Sequence, residues 1–323
     1  MKIRPRSGAR NALLVALLAL SAACAKAPLQ TIPGTYSMAA LEERKTAVDG
    51  LWLINTATAV VEDSHLHDGG SSDPVSIPIL CALIKHGDDY VLVDTGLNHH
   101  FAFDPKNYLG SVVYFFAKRK AEMPQMSQGQ DVVAQLTKLG LTPESVGTIL
   151  LTHPHFDHTG EIPAFREARI LAGPETRTFV QRAFGATRGV MTTDVPLDRL
   201  EEVAYERKAF LTFPARFDLY GDGSVVLVPT PGHTPGALSV FVRTAAGDFL
   251  LVGDAAYTAQ NLEKPVNIGY FEDREKTWDS LIRFHDLHGA APEITIIPFH
   301  DPKYLESGAD GPARIDQPQE KAK

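Results

Sequence analysis

Within six residues, His153-Pro154-His155-Phe156-Asp157-His158 presents three imidazoles and a carboxylate, directly after the apolar run Thr148-Ile149-Leu150-Leu151-Thr152. In a tight loop that leaves a strand, alternate side chains project to one side. His153 and His155 can therefore grip one cation while Asp157 and His158 turn toward a second. A histidine-rich surface loop is the competing explanation, and three more residues in equivalent places argue against it. His233 follows the run Val225 to Gly232, Asp254 follows Phe249 to Gly253, and His300 follows Ile294 to Phe299. Singly each is weak, since a lone histidine after a strand is usually structural and an aspartate after glycine is often a turn residue. Together with the first motif they supply the donors that two zinc ions need, and other divalent metals fit the same donors.

Two zinc ions about 3.5 to 4 Å apart can hold a hydroxide between them, with its pKa lowered toward neutrality, and can polarise a carbonyl or phosphoryl oxygen. That chemistry is hydrolysis, so the chain reads as a metal-dependent hydrolase. Asp157, close to such a hydroxide, can shuttle its proton to a leaving alkoxide or serve only as a ligand. In Asp254-Ala255-Ala256-Tyr257-Thr258 a phenol lies just beyond the carboxylate. Its hydroxyl could donate to the oxyanion of an attacked ester; packing beneath the metal loop is the equal alternative. Phe156 could line a substrate pocket or belong to the core.

The elements that must position these residues are strands. Runs rich in β-branched and aliphatic residues recur at Leu51 to Val61, Ile77 to Ile84, Tyr90 to Val93, Thr148 to Thr152, Ser224 to Val228, Ala237 to Val242, Phe249 to Val252 and Ile294 to Pro298. The candidate ligands stand at the ends of four of them, so four strand ends could meet on one edge. Helical spacing is clearest at Gln130 to Leu139, with Gly140 as the stop, and at Arg274 to Leu287, with Trp278, Leu281, Ile282 and Phe284 on or near the apolar face. Two clusters of strands separated by helical stretches predict a layered αββα sandwich, a four-layer α/β fold, rather than an eight-fold barrel. Residues 101–127 and 176–215 fit neither period. The first is aromatic, with Phe101, Phe103, Tyr108, Tyr114, Phe115 and Phe116, and reads as an apolar lid or, by default, as local core.

Over the whole chain, 323 residues with 44% hydrophobic and 22% charged content are ordinary globular material. A net charge of -8 argues against a nucleic-acid partner, because phosphate binding needs clustered Lys and Arg. The main basic cluster, Lys2, Arg4, Arg6 and Arg10, precedes the apolar run Ala12 to Leu20 and the small residues Ser21, Ala22 and Ala23, the pattern of a secretory signal over residues 1–24. Leu20-Ser21-Ala22-Ala23-Cys24 reads as a lipobox, which predicts a periplasmic protein tethered to the membrane through a lipidated Cys24; simple signal cleavage is the alternative. Residues 25–50 then form a tether and entry segment, 51–305 the hydrolase domain, and 306–323 a polar tail. With Cys24 lipidated, Cys81 has no disulfide partner, and its apolar surroundings predict a buried, inert thiol.

The pattern of His153, His155, Asp157, His158, His233, Asp254 and His300 resembles that of the metallo-β-lactamase superfamily over about residues 50 to 305. The resemblance implies that His153, His155 and His233 bind a first zinc, that Asp157, His158 and His300 bind a second, and that Asp254 bridges them. It also aligns Val91-Leu92-Val93-Asp94-Thr95-Gly96 with the family's early strand and turn, making Asp94 either the carboxylate that orients a ligand histidine or a turn cap. The flanks are similar to those of the N-acyl-homoserine lactonase branch: Tyr257 at its offset from Asp254, Gly232-His233-Thr234-Pro235-Gly236, and Phe299-His300-Asp301. That branch implies quorum quenching, the opening of lactone rings by attack of a metal-bridging hydroxide, with zinc and Tyr257 stabilising the oxyanion. The chain departs from it in the export signal and a longer stretch at 176–215. A thioester hydrolase of the glyoxalase II kind shares the ligand set but needs a basic C-terminal extension, and residues 301–323 hold only Lys303, Arg314, Lys321 and Lys323. For a lipid-tethered metal-binding protein without turnover, exposed ligands and no substrate pocket are expected. The expected partner is a small lactone or ester; on oligomeric state the sequence is silent.

Overall fold

Alternation of side chains across two stacked sheets explains why so many strands read as unbroken apolar runs: a strand covered on both faces has no polar side. The structure, a computed structural model, describes residue 38 and residues 47–111, 114–115, 123–182, 188–308 and 310–317. The signal segment with Cys24, and the tether up to residue 46 apart from Met38, lie outside the described residues.

One sheet has the order β12-β1-β2-β3-β4-β5-β6 and the other β11-β10-β9-β8-β7. In chain order these are β1 (Gly50–Glu62), β2 (Pro74–His86), β3 (Asp89–Val93), β4 (Val146–Leu151), β5 (Arg169–Ala172), β6 (Leu200–Glu202), β7 (Phe217–Asp218), β8 (Val225–Pro229), β9 (Leu238–Thr244), β10 (Gly247–Gly253), β11 (Thr295–Pro298) and β12 (Ala313–Arg314). Between the sheets, Leu80, Ala82, Val91, Val93, Leu150 and Leu171 of the first meet Leu227, Val240, Leu251 and Ile297 of the second. Their neighbours along each strand point outward. Cys81, Leu92, Ile149 and Ile170 pack under the helices Val132–Thr137 and Thr176–Arg182, and Val226, Phe241, Leu250 and Ile296 pack under the helix Arg274–Ala290. Three apolar layers between four layers of structure make the αββα sandwich. Each aliphatic side chain fully buried in it contributes about 1.5–3 kcal/mol relative to exposure.

The eight expected strands all form, each within a few residues of its expected bounds. The helix at Gln130 to Leu139 is shorter, Val132–Thr137, because the Asp131 carboxylate caps it by accepting from Ala134 N. The helix from Arg274 runs on to Ala290, and Trp278 sits at its half-buried margin while Leu281, Phe284 and Leu287 take the inner face. Strands β5, β6, β7 and β12 were not expected; at two to four residues they are too short for a period to show. Strand β12 pairs with β1 beyond residue 305, at Trp52 to Arg314 and Leu53 to Ala313. Among the described residues of 176–215, Phe179, Val180, Val190, Val195 and Leu200 join the helix-covered layer. Of the aromatic stretch, Phe101 is buried, Tyr108, Met123 and Met126 pack partly against it, Phe103 and Phe115 are exposed, and Val112, Val113 and Phe116 lie outside the described residues. Cys81 is a free thiol, and burial pushes its pKa well above the usual range.

Direction of the strands decides where their ends go. β3, β4 and β5 run parallel, as do β10 and β11, while β8 and β10 are both antiparallel to β9 and so share a direction. The C-terminal ends of β3, β4 and β5 therefore lie along one edge of their sheet, and those of β8, β10 and β11 along one edge of the other. The two edges are joined beside the site, where Leu238 N donates to Thr152 O at 3.0 Å.

Candidate metal centre

Every residue of the first motif follows within seven residues of the last pairing of β4. Leu151 ends the strand, Thr152 and His153 follow directly, and a single helical turn, Phe156–Thr159, swings Asp157 and His158 back over the strand end. His233 leaves β8 through Thr230-Pro231-Gly232, Asp254 follows β10 directly, and His300 follows β11 after Phe299. The structure brings all seven together in two groups, His153, His155, His233 and Asp254 in one, Asp157, His158 and His300 in the other, with the donor atoms of each group within 4.8 Å of one another.

Asp254 joins the groups through its two different oxygens. Oδ2 faces His153 Nε2 at 3.6 Å and His233 Nε2 at 3.4 Å. Oδ1 faces His158 Nε2 at 3.1 Å and His300 Nε2 at 3.2 Å. His233 Nε2 also stands 2.9 Å from His155 Nδ1, so the donors of the first group converge on one point. Asp157 Oδ2 lies 3.6 Å from His300 Nε2 and 3.9 Å from His158 Nε2, and, at 18% side-chain exposure, it is the ligand candidate most open to solvent.

The far nitrogens of four rings are tied down, which fixes which nitrogen keeps its lone pair free. His233 Nδ1 donates to Tyr270 O at 3.0 Å and His300 Nδ1 to Pro78 O at 2.8 Å. His158 Nδ1 donates to Asp94 Oδ2 at 2.7 Å. His153 Nδ1 lies 3.1 Å from Thr152 Oγ1, whose own hydroxyl donates to Asp94 Oδ2 at 2.7 Å. One buried carboxylate thus reaches a histidine of each group, one directly and one through a hydroxyl. Asp94 holds a left-handed backbone, φ 60°, that non-glycine residues seldom adopt. Gly96 two residues on is equally constrained, since at φ 68° a Cβ there would lie 2.2 Å from Thr56 Oγ1.

Electrostatics agree with a cation site. Burial and the surrounding imidazoles drive His153 and His155 well below the ordinary histidine range, leaving them neutral with lone pairs available. Burial alone would raise Asp254, but His300, His158 and His153 outweigh it and hold the carboxylate well below the usual range. The buried atoms His153 Nε2, His158 Nε2 and Asp254 Oδ1 have no hydrogen-bond partner, a costly condition that a bound cation relieves. Imidazole nitrogens and carboxylate oxygens are the donors that zinc and similar divalent ions take.

On one flank Tyr257 is buried, its ring 5.7 Å from those of both His233 and His300 and its hydroxyl 3.5 Å from His233 Nδ1. Burial, then the charges of Asp254 and Asp157, push its pKa well up, so it stays a donor. Phe156, next to Asp157, is half-buried and stacks on Phe101 at 4.9 Å, which meets Tyr108 edge-on at 5.8 Å. Tyr270 is half-exposed, 5.8 Å from the rings of both His155 and His233 and beside the ion pair of Arg188 with Glu272. The sequence reading passed over Thr152, Tyr270 and the Pro78 carbonyl; a backbone oxygen leaves no signature in residue types, and Thr152 read as the end of a strand.

A profile of the metallo-beta-lactamase superfamily matches residues 77–291. The chain is similar to the N-acyl homoserine lactonase AttM of Azorhizobium caulinodans, 29% identical over 262 residues, 79% of this chain and 94% of that one. It is likewise 29% identical to an N-acyl homoserine lactonase of Bacillus thuringiensis over 218 residues, 66% of this chain and 77% of the relative. Among solved structures, an N-acyl homoserine lactone hydrolase with the product N-hexanoyl-L-homoserine bound at its catalytic metal centre superposes with a TM-score of 0.66 at 23% identity, covering 81% of this chain and 97% of the other. The dizinc quorum-quenching lactonase AidC superposes with a TM-score of 0.59 at 15% identity, covering 86% and 97%.

Proposed function

Because the chain belongs to the metallo-beta-lactamase superfamily, we propose that it is a two-metal hydrolase that opens lactone rings, with N-acyl-homoserine lactones as its substrate class. The observation that carries this reading is the divided Asp254 carboxylate, one oxygen toward each histidine group. The named activity of the AttM-like relatives supports the choice of substrate.

His153, His155 and His233 would hold one ion, Asp157, His158 and His300 the other, and Asp254 both. Bound there, two divalent ions, most simply zinc, supply a water acidic enough to attack at neutral pH and a Lewis acid for the ester carbonyl. The chain's own groups do the rest. Tyr257 donates its hydroxyl to the oxyanion as the carbonyl becomes tetrahedral. Asp157, with its solvent-facing oxygen, carries a proton to the departing ring alkoxide. Phe156 and Phe101 form an apolar wall that receives an acyl chain and keeps water from the reacting carbonyl. A thioester hydrolase reading draws less support: Arg314 is engaged by Asp316 and Lys303 lies over the Tyr304 ring, so neither stands ready for an anionic thiol cofactor. The signal segment and lipobox of the sequence support a periplasmic, membrane-tethered enzyme.

The test is a substrate panel on zinc-loaded protein, comparing N-acyl-homoserine lactones, thioesters and β-lactams with wild type, Tyr257→Phe and Asp254→Ala. Lactone opening that falls about 10²-fold in kcat with Tyr257→Phe, and to background with Asp254→Ala, is the expected result. Turnover of another ester class with no lactone opening would leave a hydrolase and remove the lactonase.

A further inference from the structure

Outside the metal centre, a chain of largely buried polar side chains running from the β1–β2 hairpin is explained by neither ligation nor the reaction. The tip of the β1–β2 hairpin carries Asp63, at the start of the helical turn Asp63–Leu66, and His67. His67 is 6% exposed, and its Nδ1 lies 2.9 Å from Asp63 Oδ1. The carboxylate accepts that N–H, which leaves Nε2 as the acceptor for the Thr258 hydroxyl 2.8 Å away. Thr258 follows Tyr257 directly.

Around Tyr257 the same lattice continues. Asn261 Oδ1 accepts from Tyr257 N at 3.1 Å and from Thr258 N at 2.9 Å, while its amide donates to Leu66 O and Val266 O. On the other side Ala259 N donates to Asp301 Oδ2 at 2.8 Å, beside the ligand candidate His300. The hairpin tip is pressed against this loop as well: Gly269 N donates to His65 O, Asp68 N donates to Asn267 O, and a Cβ on Gly269 would lie 2.1 Å from Ser64 O. By contrast, the Tyr257 ring itself sits among Leu66, Ile77 and Ile268, contacts that fill space without fixing an angle.

We propose that Asp63, His67 and Thr258 are positioning residues for Tyr257. By clamping the peptide that carries the tyrosine, they set where its hydroxyl stands over the metal centre, and the hairpin tip, which supplies no ligand, thereby governs kcat. The proposal rests on the reading of Tyr257 as the donor to the oxyanion. A displacement of about 1 Å at a reacting group can cost on the order of 10²-fold in rate, so losing one link of a redundant lattice should cost about tenfold.

The experiment is a double-mutant cycle on the full-length zinc-loaded protein, with N-hexanoyl-homoserine lactone as probe. Thr258→Val keeps the shape and removes the hydroxyl; Thr258→Ser keeps the hydroxyl; His67→Gln breaks the relay from its other end. Expected are a kcat about tenfold lower for Thr258→Val and His67→Gln with KM within about twofold, near-complete retention for Thr258→Ser, and loss of both effects in the Tyr257→Phe background. Two metals per chain and a melting temperature near that of wild type accompany the expected result. If Thr258→Val does not fold, His67→Gln carries the cycle. Equal losses in the two backgrounds, or no loss where Tyr257→Phe alone slows the enzyme, overturn the positioning role and leave the lactonase standing. A wild type that binds two metals but opens no lactone, or a Tyr257→Phe variant as fast as wild type, overturns the parent reading and this one together.

Discussion

The metal centre and the aromatic cluster beside it, proposed as the mouth that receives an acyl chain, are held by opposite means. At the centre, each candidate ligand sits within a few residues of a strand end, and four of the five histidine rings are pinned at the far nitrogen by a carbonyl, a hydroxyl or Asp94. At the mouth, Phe156, Phe101, Tyr108 and Met126 lie against one another with few directional contacts. A strand end held by its neighbours fixes atoms. Stacked rings on short helical turns fix only a surface, which tolerates ligands of different length. The difference predicts that damage to the centre slows every substrate alike, whereas damage to the mouth changes which substrate is preferred.

Asp94→Asn is the strongest way to break that division. The carboxylate serves His158 directly and His153 through Thr152, one residue of each metal group, and also accepts from Thr152 N at 2.7 Å. An amide offers one oxygen where the carboxylate offers two, so either Thr152 N, or the Thr152 hydroxyl together with His158, loses its acceptor. Loss of such an outer partner costs about 10–100-fold in metal affinity or activity. The expected outcome is a fall of that size in kcat/KM for hexanoyl and decanoyl lactones alike, with metal content, read by mass spectrometry, dropping below two ions per chain. A loss confined to the longer chain would erase the distinction between centre and mouth.

Phe156→Ala should sharpen it from the other side. Removing the ring takes away the outer half of the stack with Phe101 while leaving Asp157 and His158 on their turn, because Phe156 holds its place through a backbone hydrogen bond to Gly189 O. Burial of each methylene is worth about 0.8 kcal/mol, so a wall shortened by one ring should raise KM for the decanoyl substrate by about tenfold, that for a butanoyl substrate by less than about threefold, and leave kcat for either nearly unchanged. Steady-state kinetics across a chain-length series reads both.

The same division decides what could be read before the structure. His153, His155, Asp157 and His158 share one six-residue stretch, and His233, Asp254 and His300 each follow an apolar run, so local spacing alone nominated the centre. The sandwich was legible for the same reason, since strands buried on both faces leave long apolar runs. The mouth was not. Tyr108 meets Asp194 across 86 positions, and His67 meets Thr258 across 191; nothing in either stretch alone marks the pairing. The short strands β5, β6, β7 and β12 were missed because two to four residues carry no period, and because their pairing is decided by neighbours far along the chain.

The smallest expected effect comes from that hidden pair at the mouth and touches stability without touching rate. Tyr108 donates its hydroxyl to Asp194 Oδ2, tying the aromatic stretch to the loop that carries Gly189, and Thr193 donates to the other oxygen at 3.3 Å. Burial, opposed in part by these hydrogen bonds and reinforced by the nearby charge of Glu161, raises the Asp194 carboxyl to about 6. Glu161 is itself raised by burial and bonded to His99. An unfolded Asp194 titrates near the ordinary 3.8, so between these values the folded state holds a proton that the unfolded state has released. Its contribution to stability is full below the unfolded value and is lost as pH rises through about 6, up to about 3 kcal/mol for the whole shift. Asp194→Asn keeps an oxygen for Tyr108 and cannot ionise. Its melting temperature should therefore match that of wild type only below about pH 4, already exceed it near pH 5, and exceed it by a few degrees at pH 8, with kcat unchanged. A difference that is constant across this range, or that grows toward low pH, would show that Asp194 lies in the folded protein already charged and paired.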